Sequence, residues 1–225
     1  MTPSPPPQLI TLDVGHTLGA VRGRPLTAVL AAASPLPAEQ ARRVIRQRLY
    51  TMAHLDQDVV ALVCRKLQIP AEAFPRDHRP PAFEFWPGAA EAVAELASVL
   101  PVATLSNVCR PDDDGSVARV LGPYLSGHHP SYLIGYAKPD PRAFTAVAAA
   151  HGVPPAAIIH LGDSLELDVR AALRVGARAV WITTSPPTAA DLVTAADRLG
   201  VAPTVQSAVA HVRALLNPSA RHHTR

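Results

Sequence analysis

The sequence predicts an α/β protein, a Rossmann-like parallel sheet core carrying an inserted helical cap, on three observations. Short, continuous apolar runs alternate with amphipathic stretches at helical spacing, which implies parallel strands covered on both faces. One connection, between the first and second runs, is far too long for a simple crossover and has helical patterns of its own. The polar residues that interrupt the apolar pattern fall just after the runs, where open α/β sheets gather their functional groups.

The first run is residues 8–13 (QLITLD), apolar until its closing carboxylate and followed by Gly15, as a buried strand leaving a sheet would be. Four more candidate strands follow at 101–106, 131–134, 157–161 and 178–183. Helical spacing of apolar residues marks 89–100, 141–151 and 166–175 between them. The long first connection has such patterns at 26–33, 38–54 and 57–67, and the Pro-rich stretch 75–87 reads as its return linker. The expected division is a core of residues 1–18 and 87–225 with a cap of 19–86. No internal repeat is visible, and the tail 219–225, with His222 and His223, reads as a frayed end rather than a ligand set.

Composition narrows the function classes. Apolar residues make up 48% of the 225 and charged residues 17%, which suits a packed soluble protein and argues against extensive disorder. The formal charge is +3, and the basic residues are arginines apart from Lys66 and Lys138. They are scattered along the chain, so no nucleic-acid footprint is expected. Four arginines, Arg42, Arg43, Arg46 and Arg48, crowd one helical pattern, and a solvated helix face is the plainer reading of them. Cys64 and Cys109 form neither a CxxC pair nor a metal-ligand spacing, which suggests a reduced setting. The first residues, MTPSPPPQ, lack the basic and apolar regions of a signal peptide, and no long apolar run suggests a membrane span. The expectation is a cytoplasmic protein, monomer or homodimer, acting on a small molecule.

The residues with chemistry keep a fixed relation to the strands. Asp13 closes the first, Ser106 and Asn107 follow the second, Lys138 comes after the third, and Gly162-Asp163-Ser164 follows the fourth. Each alone is ordinary turn or capping chemistry. Together, the pieces LDVGHTL (12–18), TLSN (104–107), GYAKPDPRAF (135–144) and HLGDSLELDVRAALRVGARAVWI (160–182) resemble the haloacid dehalogenase superfamily, in the branch whose helical cap lies between the first two motifs.

The resemblance implies a Mg²⁺-dependent hydrolase acting on a small phosphorylated substrate. Asp13 is then the nucleophile that forms an aspartyl-phosphate. Asp163 holds Mg²⁺ together with the Asp13 carboxylate and the backbone carbonyl of Gly15, and Asp168 supports the metal site. Ser106 and the Asn107 amide bind phosphoryl oxygens, while Lys138 neutralises the carboxylates and the transferring group.

One position departs from the family pattern. Phosphatases of this family carry a second Asp two residues after the nucleophile, which protonates the leaving oxygen, and here that residue is Gly15. Loss of a general acid typically lowers a rate by about 10²- to 10⁴-fold. Four readings stay open: a phosphatase with a good leaving group or a substitute acid such as His16; a phosphonatase-like enzyme, for which Lys66 is the candidate imine former; a metal-independent 2-haloacid dehalogenase; and a catalytically impaired protein that binds a ligand or partner. Arg22 and Arg24 are expected near the site entrance, and Trp86 at the junction of cap and core.

Overall fold

The computed structural model describes residues 5–185, 188 and 198–216; the tail 219–225 with its two histidines lies outside them. Six strands, β1 (Leu9–Leu12), β4 (Val102–Ser106), β5 (Gly127–Pro130), β6 (Ile158–Gly162), β7 (Arg178–Ile182) and β8 (Leu199–Ala202), form one parallel sheet in the order β5-β4-β1-β6-β7-β8. β1, β4 and β6 lie side by side and are buried along their whole length. Their apolar runs follow from burial on both faces. Because all strands run the same way, the residues after β1, β4 and β6 emerge along one edge.

One sheet face packs on α4 (Ala89–Ala97), α5 (Ser116–Leu121) and α9 (Val205–Leu216), through Leu12, Val93, Leu96, Val180 and Val209 among others. The opposite face packs on α7 (Pro141–Ala150) and α8 (Ala171–Arg174), around Leu105, Phe144, Val147 and Ala172. The short helix α6 (Ser131–Ile134) occupies a stretch read from sequence as a strand. That reading is corrected here: the strand is the preceding Gly-His-His-Pro segment. Four apolar residues cannot distinguish strand from helix by period. Pro130 has no N–H to continue the ladder, and Gly135, at φ 76°, ends the helix in the left-handed region. β5 is polar because it is an edge strand, with His128 bonded to Thr104 (2.6 Å) and His129 to His151 (3.0 Å).

The long insert begins and ends in an antiparallel ribbon of β2 (Gly19–Arg22) and β3 (Ala82–Phe85), which the helical reading missed. Gly19 is required there, since a Cβ would lie 2.1 Å from the Glu84 carbonyl. Between the two strands lie α1 (Leu26–Ala33), α2 (Ala38–Arg48) and α3 (Gln57–Leu67), packed through Leu26, Leu30, Ile45, Val63 and Leu67. α3 carries local stop signals: Asp56 accepts from Val59 N (2.8 Å) at its start, and Gln68 turns left-handed at its end. α1 has no local cap. Asp112, from the loop after β4, instead accepts from Leu26 N (2.6 Å) and Thr27 N (3.4 Å), and also bonds His78 Nε2 (2.8 Å). Cys109 of the same loop is buried in the apolar core of the insert. The loop that follows Ser106 therefore ties both ends of the insert to the sheet.

Two measurements test these contacts. Replacing Asp112 by Ala leaves buried helix-terminal N–H groups and His78 without an acceptor, so urea denaturation should show a loss of about 2 kcal/mol or more. Burial, with His151 and His128 alongside, pushes His129 down to about 4. The native state therefore keeps this ring neutral while an unfolded chain takes up a proton below about pH 6.5. Stability contributed by the neutral ring is present above pH 6.5 and lost as pH falls toward 4. His129→Gln should flatten that acid-side slope in denaturation curves taken at several pH values.

Candidate active site

The sheet edge brings together Asp13 from the end of β1, Ser106 and Asn107 from the end of β4, Lys138 from the loop after α6, and Asp163 and Asp168 from the segment after β6. All of them line one cavity of about 650 Å³ between the sheet edge and the insert. Lys138 is 1% exposed, and its Nζ donates to Asp13 Oδ1 (2.7 Å) and Asp168 Oδ1 (2.6 Å). A buried ammonium ion is tolerated only when its charge and protons are met, and here two carboxylates do so.

The chain fixes Lys138 from its backbone as well. Asn107 Nδ2 donates to the Lys138 carbonyl (2.7 Å), and Lys138 N donates to Asn107 Oδ1 (2.8 Å). The Asn107 side chain thus positions the lysine, a role its sequence setting did not reveal.

Asp168 sits in a π-helical turn, Leu165–Arg170, within the stretch read as an ordinary helix. The wider turn directs its carboxylate back toward β6, where Oδ2 accepts from Ser164 N (2.9 Å) and Oδ1 from His160 Nε2 (3.1 Å). His160 is fully buried, stacks edge-on against Phe144 and bonds Thr11 Oγ1 (2.8 Å) through Nδ1. Burial lowers the pKa of His160, so the ring is neutral; donation from Nε2 then leaves Nδ1 to accept from Thr11. Gly162 makes room for this arrangement, since a Cβ there would stand 2.6 Å from that of Asp168.

These contacts set the charges. Burial raises the Asp13 carboxyl to about 6, with Lys138 opposing the rise and Asp168 adding to it, so Asp13 is ionised at neutral pH. For Asp168, burial is outweighed by Lys138 and His160, which hold it well below the usual carboxylate range. Lys138 is raised despite its burial by the same two carboxylates and stays charged. Burial, then Asp168, raises Asp163, opposed by His16.

Asp13, Asp163 and Asp168 offer oxygens that lie within 4.8 Å of one another. Three hard anionic donors at that spacing fit Mg²⁺, which takes few protein ligands and keeps oxygen from water or substrate. Their contributions are unequal, because Asp168 already accepts from Lys138, His160 and Ser164. Asp163 is freer: the Thr17 hydroxyl reaches its Oδ1 at 3.4 Å and Asp13 Oδ2 at 3.1 Å. Asp13 and Asp163 are the better ligands, and Asp168 chiefly positions Lys138.

Gly15 lies in the cavity wall, and a Cβ built there meets nothing within 4 Å. Its neighbour His16 also lines the cavity, on a backbone at φ 60°. Trp86 sits at the junction, donating Nε1 to the His16 carbonyl (3.4 Å). Arg22 instead pairs with Glu84 across the exposed ribbon (2.5 Å), and neither it nor Arg24 is in the cavity wall. Sequence reasoning passed over Thr17 and His160, and read Arg42 and Arg46 as part of a solvated helix face. Thr17 lay inside a recognised motif, and His160 was a polar residue in a buried strand, so both carried a signal. The two arginines line the cavity: Arg42 is exposed, as the solvated-face reading expects, and that reading is corrected only for the half-buried Arg46.

Comparison with known proteins agrees with this architecture. The family model for haloacid dehalogenase-like hydrolases matches residues 38–176. Phosphoserine phosphatase of Thermus thermophilus is 36% identical over 117 residues, a stretch covering 50% of this chain and 45% of that protein. The match thus spans less than half of that relative's length. A 2-haloacid dehalogenase from Pseudomonas syringae has the same fold with a TM-score of 0.60 at 20% identity, over 92% of this chain and 98% of that one. A haloacid dehalogenase (HAD) family enzyme from Bacteroides thetaiotaomicron, in complex with magnesium and inorganic phosphate, gives 0.54 at 14% identity, over 82% and 98%. At such identities these structures speak to the fold alone. No described helix is long and apolar enough to cross a membrane.

His160 offers a direct test of the positioning network. His160→Leu removes a donor from a buried carboxylate, and the expected loss is about 1–3 kcal/mol of unfolding free energy. His160→Gln, which can still donate, should recover part of it; equal losses for both would show that packing against Phe144 matters instead.

Proposed function

Because the chain belongs to the haloacid dehalogenase-like hydrolase family, we propose that it is a Mg²⁺-dependent phosphatase of a small phosphorylated metabolite, acting in the cytoplasm through an aspartyl-phosphate at Asp13. The observation that carries the reading is the triple-acid cluster beside a buried lysine: Asp13, Asp163 and Asp168 within 4.8 Å, with Lys138 bonded to two of them. Asp168 is accounted for by Lys138, but among the described residues Asp163 has no cationic side chain within 4.0 Å, and a bound Mg²⁺ would supply that charge. The partial identity to a phosphatase points the same way.

In this reading residues 19–86 act as a cap that closes over the cavity and excludes water, as lids do in many enzymes. An Asp13 carboxylate oxygen attacks phosphorus, the P–O bond to the leaving group breaks, and the oxygen leaves with the bonding pair. A water then attacks the same phosphorus, releasing inorganic phosphate and restoring the Asp13 carboxylate. Asp13, Asp163 and the Gly15 carbonyl would hold Mg²⁺, with Asp168 in support, and the bound ion would supply positive charge against the phosphoryl oxygens. Lys138 stabilises charge on the transferring group, and Ser106 and the Asn107 amide bind its oxygens. Because Lys138 is already fixed by Asn107 and Asp168, it adds that charge without reorganising.

Gly15 supplies no proton to the leaving oxygen. The reaction therefore favours esters with a good leaving group, or draws on His16 in the adjacent wall. Lys66 is exposed at the end of α3 and outside the cavity wall, which removes the motive for a phosphonatase reading.

A hydrolysis panel tests the proposal, comparing an aryl phosphate, sugar phosphates, phosphonoacetaldehyde and a 2-haloacid with Mg²⁺ and with EDTA. Phosphate release should require Mg²⁺ and vanish in Asp13→Asn, whereas turnover of the haloacid in EDTA overturns the phosphatase reading. At Gly15→Asp the new Cβ meets nothing within 4 Å. The substitution should raise kcat on alkyl phosphates by roughly tenfold or more while changing aryl phosphates little.

A further inference from the structure

Phosphoryl transfer occupies the floor of the cavity, yet the cavity is about 650 Å³ and extends well into the insert. Above the floor its sides are mixed, with Ala28, Ala31, Ile45, Phe83 and Val117 beside Asp112, Asp113 and Asp114. The far wall comes from α2, where Arg42 and Arg46, four residues apart on one helix face, border the cavity with Tyr50 just past the helix end. Arg43 and Arg48 of the same helix are exposed and outside the wall, while Arg46 is half-buried. Arg42 borders the cavity but is itself largely exposed, so Arg46 is the better sheltered of the two.

Neither is committed to a strong partner. Arg42 approaches Glu39 at 3.9 Å, an exposed pair of the kind that contributes little. Among the described residues no carboxylate lies within 4.0 Å of Arg46. The three acids of the cavity wall outside the floor have hydrogen-bond partners of their own. Asp112 caps α1, Asp113 accepts from Tyr132 (2.7 Å), and Asp114 accepts from Phe83 N and Ser116 N (both 2.9 Å).

We infer that the substrate carries a second anionic group, a carboxylate or a second phosphate, at the end remote from the transferred phosphoryl group, and that Arg42 and Arg46 bind it. The inference rests on the phosphatase reading and names the substrate class for that same site. A planar guanidinium binds either anion through two parallel N–H bonds. The floor and far wall then recognise opposite ends of one molecule. A phosphate ester without the second anion leaves both guanidinium groups unanswered.

Titration calorimetry with Mg²⁺ present tests this with ω-phosphonocarboxylates of two to six carbons, alkane diphosphonates, and plain alkylphosphonates of matching length. At the length that spans the cavity, the dianionic probe should bind about 10- to 100-fold tighter than its alkyl counterpart. That advantage should disappear in Arg42→Gln/Arg46→Gln and persist in Arg43→Gln. Whichever probe class gains identifies the second anion. Equal affinity at every length, or an advantage that survives the double substitution, overturns the inference and leaves the phosphatase reading intact. Failure of the wild type to bind any phosphonate overturns both, and discrimination without hydrolysis of the matching phosphate overturns the phosphatase reading alone.

Discussion

The buried ammonium of Lys138, bonded to Asp13 and Asp168, is the contact around which the sheet edge is organised. Withdrawing a cation and two carboxylates from water costs several kcal/mol per ion, and only close, fully bonded geometry offsets that cost. The constraint reaches outward from there. Asn107 holds the lysine backbone, His160 and Ser164 hold Asp168, and Gly162 leaves the space in which Asp168 turns. Residues from the ends of three adjacent strands must therefore be in place together. A parallel sheet, which delivers those ends to one edge, meets that requirement.

The balance of charge left at this edge explains its chemistry. Three carboxylates face one ammonium, so the floor retains negative charge that a divalent cation would neutralise. Burial alone would raise all three carboxyl groups, and the lysine separates their behaviour: Asp168 is held far down while Asp13 rises to about 6. Asp168 is thereby a fixed anion that orients the lysine. Asp13, bonded by Lys138 and Thr17, borders the cavity. On the α2 side the cavity wall carries the guanidinium groups of Arg42 and Arg46.

The insert is integrated with this edge through the loop after β4. Ser106 and Asn107 lead directly into Cys109, packed in the core of the insert, and Asp112, which caps α1 and bonds His78. Movement of the insert relative to the sheet would therefore act on the segment that borders Asp13 and Lys138 in the cavity. The Gly19–Phe85 ribbon supplies the other connection, close to Gly15 and His16 through the Gly15–Gly19 bridge.

How much of this was legible in the sequence depended on whether the signal was local. The buried strands β1, β4, β6 and β7 announced themselves as apolar runs, and α3 was bounded by an Asp cap and a left-handed end. Asp13, Ser106 and Asp163 could be picked out because polar groups at strand ends stand out against apolar neighbours, whereas Lys138, which follows α6, was marked by the GYAKPDPRAF motif around it. β5 could not, because an edge strand of two histidines and a proline has no apolar period, and α1 lacks a local cap because Asp112 provides it from 86 residues away. The sequence by itself determined the fold class and which residues meet at the sheet edge, since periodicity and strand-end placement are properties of a few consecutive residues. Tertiary structure alone decided that Asn107 and His160 serve to position Lys138 and Asp168, and that Arg42 and Arg46 face the cavity while Arg43 faces solvent. Hydrogen-bond partners and the side of a helix that meets a cavity depend on residues distant in the chain.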